Sequence, residues 1–185
     1  MRSFSEGSPF LFMKVGTHAR EPFEQIVERK SAELRDAGMI FWGYGGNTCH
    51  PETVRAFAKH HAKAGRVVQL AMHRMNSNHL ADPKLSKDYS DDGVVWRPVP
   101  KGIQVLGSKY ALVLGSLEEA NFELDLDSIR VACGASQGRL ASDYIRGHVD
   151  KGCFEIGEPT GNGIAHPVRI GLVAKLIEPY AVFLK

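Results

Sequence analysis

The sequence predicts a mixed α/β (α+β) fold, with an N-terminal βαβαβ unit followed by a β-rich second half in a single domain centred on a sheet. Two patterns predict it. Apolar runs of strand length alternate with amphipathic helical stretches up to residue 72, and short apolar runs separated by glycine or proline follow residue 93. The composition, 43% hydrophobic and 24% charged over 185 residues, is typical of a globular domain with a substantial core.

The N-terminal unit follows a short polar segment, residues 1–9, which we expect to be flexible. Its three strands are the apolar runs Phe10–Val15, Met39–Tyr44 and Arg66–Met72. Its two helices are expected to begin at prolines and to stop at glycines, which suit the first and the terminating positions of a helix. These residues are Pro22 and Gly38 for the first helix, and Pro51 and Gly65 for the second, which runs to about Ala64. This order favours a parallel or mixed sheet.

Residues 73–93 are polar and contain few apolar anchors, so they are expected to form a long loop, such as a lid or a binding loop. The chain then turns β-rich. The expected strands are Val94–Pro98, Ile103–Leu106, Lys109–Leu114, the alternating run from Phe122 to Leu126, and two C-terminal strands within Val168–Leu184 that break near Glu178–Pro179. A third helical stripe spans Leu140–Val149 and includes His148, and Pro159–Pro167 is expected to be a turn. Residues 10–185 are thus expected to form one domain.

Charge and cysteine content narrow the class of protein. The formal net charge of +2 and the absence of long runs of like charge do not by themselves indicate nucleic acid or a membrane surface. The three cysteines (Cys49, Cys133 and Cys153) are an odd number at wide spacing, which is typical of reduced cytosolic thiols. No apolar segment reaches the length of a transmembrane helix. We therefore expect a soluble cytoplasmic protein with no membrane partner.

Ligands of such sheets collect beyond the carboxyl ends of the strands, so the loops that follow the three predicted strands are the expected site. The first loop contributes His18. The second contributes Tyr44, Gly45, Gly46, Asn47, Thr48, Cys49 and His50, and the third contributes His73 and Arg74. If the strands are parallel and adjacent, these residues converge on one pocket.

The glycine loop is the strongest indication of a ligand. Gly43, Gly45 and Gly46 follow an apolar strand and precede a helix start at Pro51, an order that exposes backbone N–H groups to an anion. The loop lacks both the Gly-Lys-Ser/Thr ending of phosphate loops and the Gly-x-Gly-x-x-Gly spacing of dinucleotide sites. Residues 45–48 would bind phosphate and Arg74 would neutralise it. Trp42, Tyr44 or Trp96 would stack on a base. The alternative is a tight turn in which the glycines serve packing alone.

Two further functions stay open. A hydrolase or transferase would use Cys49 as a nucleophile, because a thiol near a helix N-terminus has a lowered pKa, with His50 or His73 as the base. A protein-interaction or inhibitor module would instead use the loop at 73–93. A metal site built from Cys49, His50, His73 and His79 lacks familiar ligand spacing, so no metal is predicted, and no cofactor can be named.

The order strand, helix, tryptophan-bearing strand, helix and strand from Phe10 to Met72 resembles that of small modified-base reader domains. The long polar segment after Met72 and the Gly-Tyr-Gly-Gly loop depart from that pattern. The resemblance implies nucleic acid as a partner. The leading prediction is therefore a binding domain for a phosphate-bearing ligand, either a nucleotide or part of a nucleic acid.

Overall fold

A computed structural model describes residues 4–145, 149–158 and 166–185, with backbone alone for residues 77–79. Within these residues the chain forms a mixed α/β domain that is mostly sheet, with three α-helices and ten strands. The predicted fold class is confirmed at this level. Residues 159–165 of the predicted turn and His148 of the predicted third helix lie outside the described residues.

The helices are α1 (Phe23–Ala37), α2 (Pro51–Lys63) and α3 (Ala141–Tyr144). The strands are β1 (Pro9–His18), β2 (Ile40–Tyr44), β3 (Gln69–His79), β4 (Asp88–Ser90), β5 (Arg97–Pro98), β6 (Tyr110–Leu114), β7 (Glu118–Asp125), β8 (Ile129–Val131), β9 (Lys151–Ile156) and β10 (Pro167–Leu184). A single 3-10 turn, Leu126–Ser128, links β7 to β8. None of these described helices is long and apolar enough to cross a membrane.

The strand order across the sheet is β2-β6-β10-β3-β1-β9-β8, and β4 and β7 pair with β10 outside this path. The elements of the predicted βαβαβ unit occur in the expected order along the chain, and β1 and β3 are parallel neighbours. However, β2 does not join them. It pairs antiparallel with β6 at the end of the sheet, because β10 and β6 lie between it and β3. The three strands are therefore not one adjacent parallel set.

β10 holds the two halves of the sheet together. Its first part pairs with β7 and β3, and its second part pairs with β6 and β4. The pairing register with β6 shifts between Leu176 and Ala181, where the Glu178–Pro179 peptide is cis and Tyr180 has a φ of +69°. The break predicted near this proline is thus an irregularity inside one long strand.

Several elements differ from their predicted lengths. β3 continues to His79, seven residues further than predicted and into the polar segment 73–93, because its backbone pairs with β1 as far as His18. The segment also contains β4. The third helix is only four residues long, and Ile103–Leu106 is not a strand, although Leu106 forms an isolated bridge with Leu85. β9, which pairs with β1 and β8, was not predicted.

The core lies on both faces of the sheet. One cluster packs α1 and α2 against the sheet and includes Trp42, Val54, Phe57, Leu70 and Met72. The other covers the opposite face and includes Phe10, Phe12, Ile129, Phe154 and Ile170. β1 contributes alternately to both clusters, as a strand covered on both faces must. A third cluster, which includes Phe41, Val105 and Val182, packs at the end of the sheet where β2 pairs with β6.

Candidate functional site

A cavity of about 850 Å³ opens where β1 and β2 end. Four parts of the chain enclose it: the second half of β1, the end of β2 with the glycine loop that follows, residues 105–109 and residues 149–151. The inner side of α1 closes one wall. The volume is within the range of small-molecule sites.

Seven of the residues proposed from the sequence line this cavity. They are His18, Trp42, Tyr44, Gly45, Gly46, Asn47 and Thr48. They meet although β1 and β2 are not adjacent in the sheet, so a shared parallel edge is not what brings them together.

The glycine loop is tied down from inside. The Tyr44 hydroxyl donates a hydrogen bond to the Cys49 backbone oxygen at 2.6 Å, which closes residues 45–48 into a short arch. Burial of the ring raises the pKa of Tyr44, so the phenol remains a neutral donor. Gly46 has a φ of +86° and Cys49 a φ of +57°, and both allow the arch to turn back toward α2.

Lys151, at the start of β9, is the main cation beside the arch. It is only 5% exposed, and its Nζ donates to the Asp150 carboxylate at 2.8 Å. The ammonium lies 5.9 Å from the centre of the Tyr44 ring, and a Cβ atom placed on Gly46 would be 3.3 Å from Nζ. An ammonium has three N–H donors, and Asp150 takes one of them. Within the described part of the chain, a buried cation therefore lies beside the arch with two N–H donors that no other residue accepts.

The wall formed by α1 contains a network of ion pairs, of which Lys30 and Glu33 are buried and Arg29 and Glu21 partly buried. Arg29 donates to both oxygens of Glu21, at 2.9 and 2.6 Å, and to Glu33 at 3.0 Å. Lys30 is 2% exposed and donates to Glu33 at 2.8 Å and to the Gln104 backbone oxygen at 2.5 Å. Burial lowers the pKa of Lys30 to about 8, and the Glu33 charge opposes that shift. The network fastens residue 104, and the segment after it, to α1.

His18 fixes the segment 106–108. Its Nε2 lies 3.2 Å from the Leu106 oxygen, 3.1 Å from the Gly107 oxygen and 3.2 Å from the Ser108 hydroxyl. Carbonyl oxygens only accept, so these contacts assign the ring hydrogen to Nε2. Ser108 itself donates to the Leu106 oxygen at 3.0 Å. His18 in this state does not take a proton from Ser108, and the pair is not arranged as a nucleophile and its base.

Charges on the described lining are mostly positive. Five residues that border the cavity are basic (Lys14, Arg29, Lys30, Lys109 and Lys151), and two are acidic (Glu21 and Asp150). Glu33, behind the α1 wall, offsets one more positive charge. The remainder favours an anionic ligand over a cationic one.

Two residues proposed as ligand contacts lie elsewhere. Arg74 is exposed, pairs with Glu24 and lies over the Phe23 ring at 5.1 Å. Its neighbour Met75 lines the cavity instead, at the point where the pairing register between β1 and β3 shifts after Val15 and Arg74. Trp96 holds the Lys185 ammonium 4.5 Å from its ring and does not border the cavity.

The three residues proposed for catalysis also lie outside the lining. Cys49 is buried in the core cluster beneath the arch. His50 is exposed, with its ring 5.1 Å from that of Tyr110. The Nδ1 atom of His73 lies 2.7 Å from the Arg169 oxygen, and its ring stacks on Phe12. The structure does not bring these three groups together at the cavity.

Across the described part of the chain, no group of three histidine, cysteine or acidic side chains is placed to hold a metal ion. Comparison of the chain with models of protein families, with curated proteins and with solved structures finds no match.

Proposed function

We propose that this protein binds a phosphate-bearing ligand, a nucleotide or a nucleotide unit of a nucleic acid, in the cavity beside the glycine arch. The observation that carries the proposal is the buried Lys151 ammonium next to Gly46, which makes one hydrogen bond, to Asp150, among the residues that the structure describes. Burying a cation is costly unless its charge and its donors are satisfied. A bound anion would satisfy both.

Asp150 only partly neutralises Lys151. The Asp150 side chain is 42% exposed, so water screens its charge, whereas the Lys151 side chain is 7% exposed. A phosphate group offers several acceptor oxygens and a full negative charge, and charge-assisted hydrogen bonds of this kind are stronger than neutral ones. The backbone of residues 45–48 borders the same space and can add N–H donors.

The rest of the lining suits the remainder of a nucleotide. Apolar and aromatic residues make up part of the lining, namely Met13, Val15, Ile26, Trp42, Met75 and Val105. Hydroxyl and amide groups of Thr17, Asn47, Thr48 and Ser108 border it. Apolar and aromatic residues combined with a few polar groups are the usual lining of a small-molecule site.

The test is calorimetric titration with the four ribonucleoside 5′-monophosphates, their nucleosides, inorganic phosphate and a short single-stranded oligonucleotide. At least one monophosphate or the oligonucleotide should bind, and the matching nucleoside should bind more weakly. Lys151→Met removes a charge-assisted hydrogen bond of about 1.5–3 kcal/mol, so affinity should fall roughly tenfold or more.

Lys59→Met provides the matched control, because Lys59 is exposed on α2 and does not border the cavity. Its affinity should equal that of the wild-type protein. Absence of binding by every probe, or equal affinity of the Lys151→Met variant and wild type, would refute the proposal.

A further inference from the structure

The three cysteines of the chain, far apart in sequence, meet in the folded protein. Cys49 follows the glycine arch, Cys133 follows β8, and Cys153 lies in β9. The thiols of Cys49 and Cys133 both lie close enough to the Cys153 thiol to raise its pKa. All three pack in the cluster between the sheet and the helices. Cys153 is thus the centre of a thiol cluster that the cavity does not use.

The β8–β9 pairing brings Cys133 to Cys153. The register runs from Ile129 opposite Ile156 to Val131 opposite Phe154, and the Ala132 N–H continues it by donating to the Cys153 oxygen at 2.9 Å. Cys133 therefore lies one residue beyond a direct backbone partner of Cys153. Residues this close across a strand pair are within reach of a disulfide.

The three thiols differ in exposure and acidity. Cys49 and Cys153 are buried, whereas Cys133 is only partly buried and is the one that solvent reaches most easily. The hydrogen bond with Cys153 lowers the pKa of Cys133, and the bonds to Cys133 and Cys49, with burial, raise the pKa of Cys153. A more acidic, accessible thiol beside a protonated thiol is the arrangement of an oxidisable cysteine and its resolving partner.

We propose that Cys133 is a site of oxidation by hydroperoxides and that Cys153 resolves the product into a Cys133–Cys153 disulfide. In the first step the Cys133 thiolate attacks one peroxide oxygen, the O–O bond breaks, and Cys133 becomes a sulfenic acid as hydroxide or alkoxide leaves. In the second step the Cys153 sulfur attacks the Cys133 sulfur. The S–S bond forms, the S–O bond breaks, and the hydroxyl group leaves as water with the proton of the Cys153 thiol.

Cys49 is the third member and not the partner of Cys133. Its thiol contacts Cys153, and Cys153 contacts both others. The oxidation needs no ligand in the cavity, so a test of it is independent of the proposed binding function.

The test treats the reduced full-length protein with a small excess of hydrogen peroxide, blocks free thiols, and maps disulfides by mass spectrometry of peptides. The wild-type protein should lose two thiols and yield the Cys133–Cys153 cross-link. Cys49→Ser should yield the same cross-link. Cys153→Ser should yield none and should leave a sulfenic acid on Cys133 that dimedone traps.

Cys133→Ser should lose thiols at least tenfold more slowly than the wild-type protein. Circular dichroism of each variant, before and after oxidation, reports that the fold is retained, and the wild-type peptide map decides the question even if Cys153→Ser does not fold. A wild-type map showing Cys49–Cys153, no thiol loss from the wild-type protein, or wild-type rates in Cys133→Ser would overturn the proposal.

Discussion

Replacing Gly46 with alanine should weaken both the fold and ligand binding, whereas replacing Gly45 should do neither. Gly46 has a φ of +86°, and an L-residue in a left-handed conformation costs roughly 1–2 kcal/mol. Its new Cβ would also lie 3.3 Å from Lys151 Nζ, a flexible atom that can move away but would then leave the arch. Gly45 lacks a positive φ, and a Cβ there meets no atom within 4 Å.

For a chain of this size, about 1–2 kcal/mol corresponds to a fall in melting temperature of roughly 2–8 °C for Gly46→Ala. Gly45→Ala should be neutral or stabilising by up to about 1 kcal/mol, because alanine reduces the entropy of the unfolded chain. Thermal unfolding followed by circular dichroism measures the melting temperature of each variant, and calorimetric titration with ribonucleoside monophosphates measures its affinity for the ligand. Equal melting temperatures, or equal affinities, in the two variants would refute this account of the arch.

Three further predictions concern packing and titration. Gly43→Ala places a Cβ against the Ser108 hydroxyl and 2.6 Å from Val105 Cγ1, so chemical denaturation should show a loss of stability of roughly 1–3 kcal/mol. Gly171→Ala, where a Cβ meets no atom within 4 Å, should show no such loss, and equal losses in the two variants would contradict this packing. The pKa of Lys30 is about 8 in the folded protein, against 10.5 for an ordinary lysine, so between these pH values the unfolded chain binds more protons than the folded one. The contribution of Lys30 to the free energy of unfolding should therefore rise as pH increases from 8 to 10.5. Urea midpoints of the Lys30→Met variant should lack that increase. Burial lowers the pKa of His61 below 6.5, so its contribution to stability is lost as pH falls. Between about pH 7 and pH 5, the melting temperature of His61→Leu should therefore fall by less than that of the wild-type protein. An equal fall would show that another group is responsible.

Local signals account for the part of the fold that the sequence predicts well. Pro51 begins α2, and Gly38 ends α1 with a φ of +74° and an N–H that donates to the Leu34 oxygen. These residues act through their own backbone preferences, so a short window of sequence contains the information. The strands of the first half are recognisable for the same reason, because each contains a mostly apolar run of strand length.

Pairings between distant segments are not recognisable in this way. The position of β2 depends on β6 and β10, which follow it by more than 60 residues, and no property of Ile40–Tyr44 alone specifies an antiparallel partner. Strand pairing uses backbone groups and does not require apolar side chains. The polar end of β3 therefore pairs as a strand although its sequence resembles that of a loop. The four-residue α3 is too short for a periodic pattern to define.

The same distinction applies to the site. The glycine arch and Trp42 lie in one stretch of sequence that an apolar run, three glycines and a proline mark out. Lys151 is brought there by β9, and nothing in its sequence neighbourhood indicates a buried cation. The wall of Lys30 and Glu33 is likewise hidden within a helix whose spacing predicts only a surface ion pair. The thiol cluster could not be predicted from the sequence, because its three cysteines are far apart in the chain and only the fold brings them together.

The most direct test of the account is to map ligand contacts in solution with ¹H–¹⁵N spectra of the full-length protein, titrated with the tightest-binding ribonucleoside monophosphate or, if none binds, with the oligonucleotide. We predict that the largest shifts belong to the amides of residues 45–48 and Lys151, and that these shifts are lost in the Lys151→Met variant. Shifts concentrated around Arg74 or Trp96, or spectra that do not change at millimolar ligand, would contradict a binding site at the glycine arch.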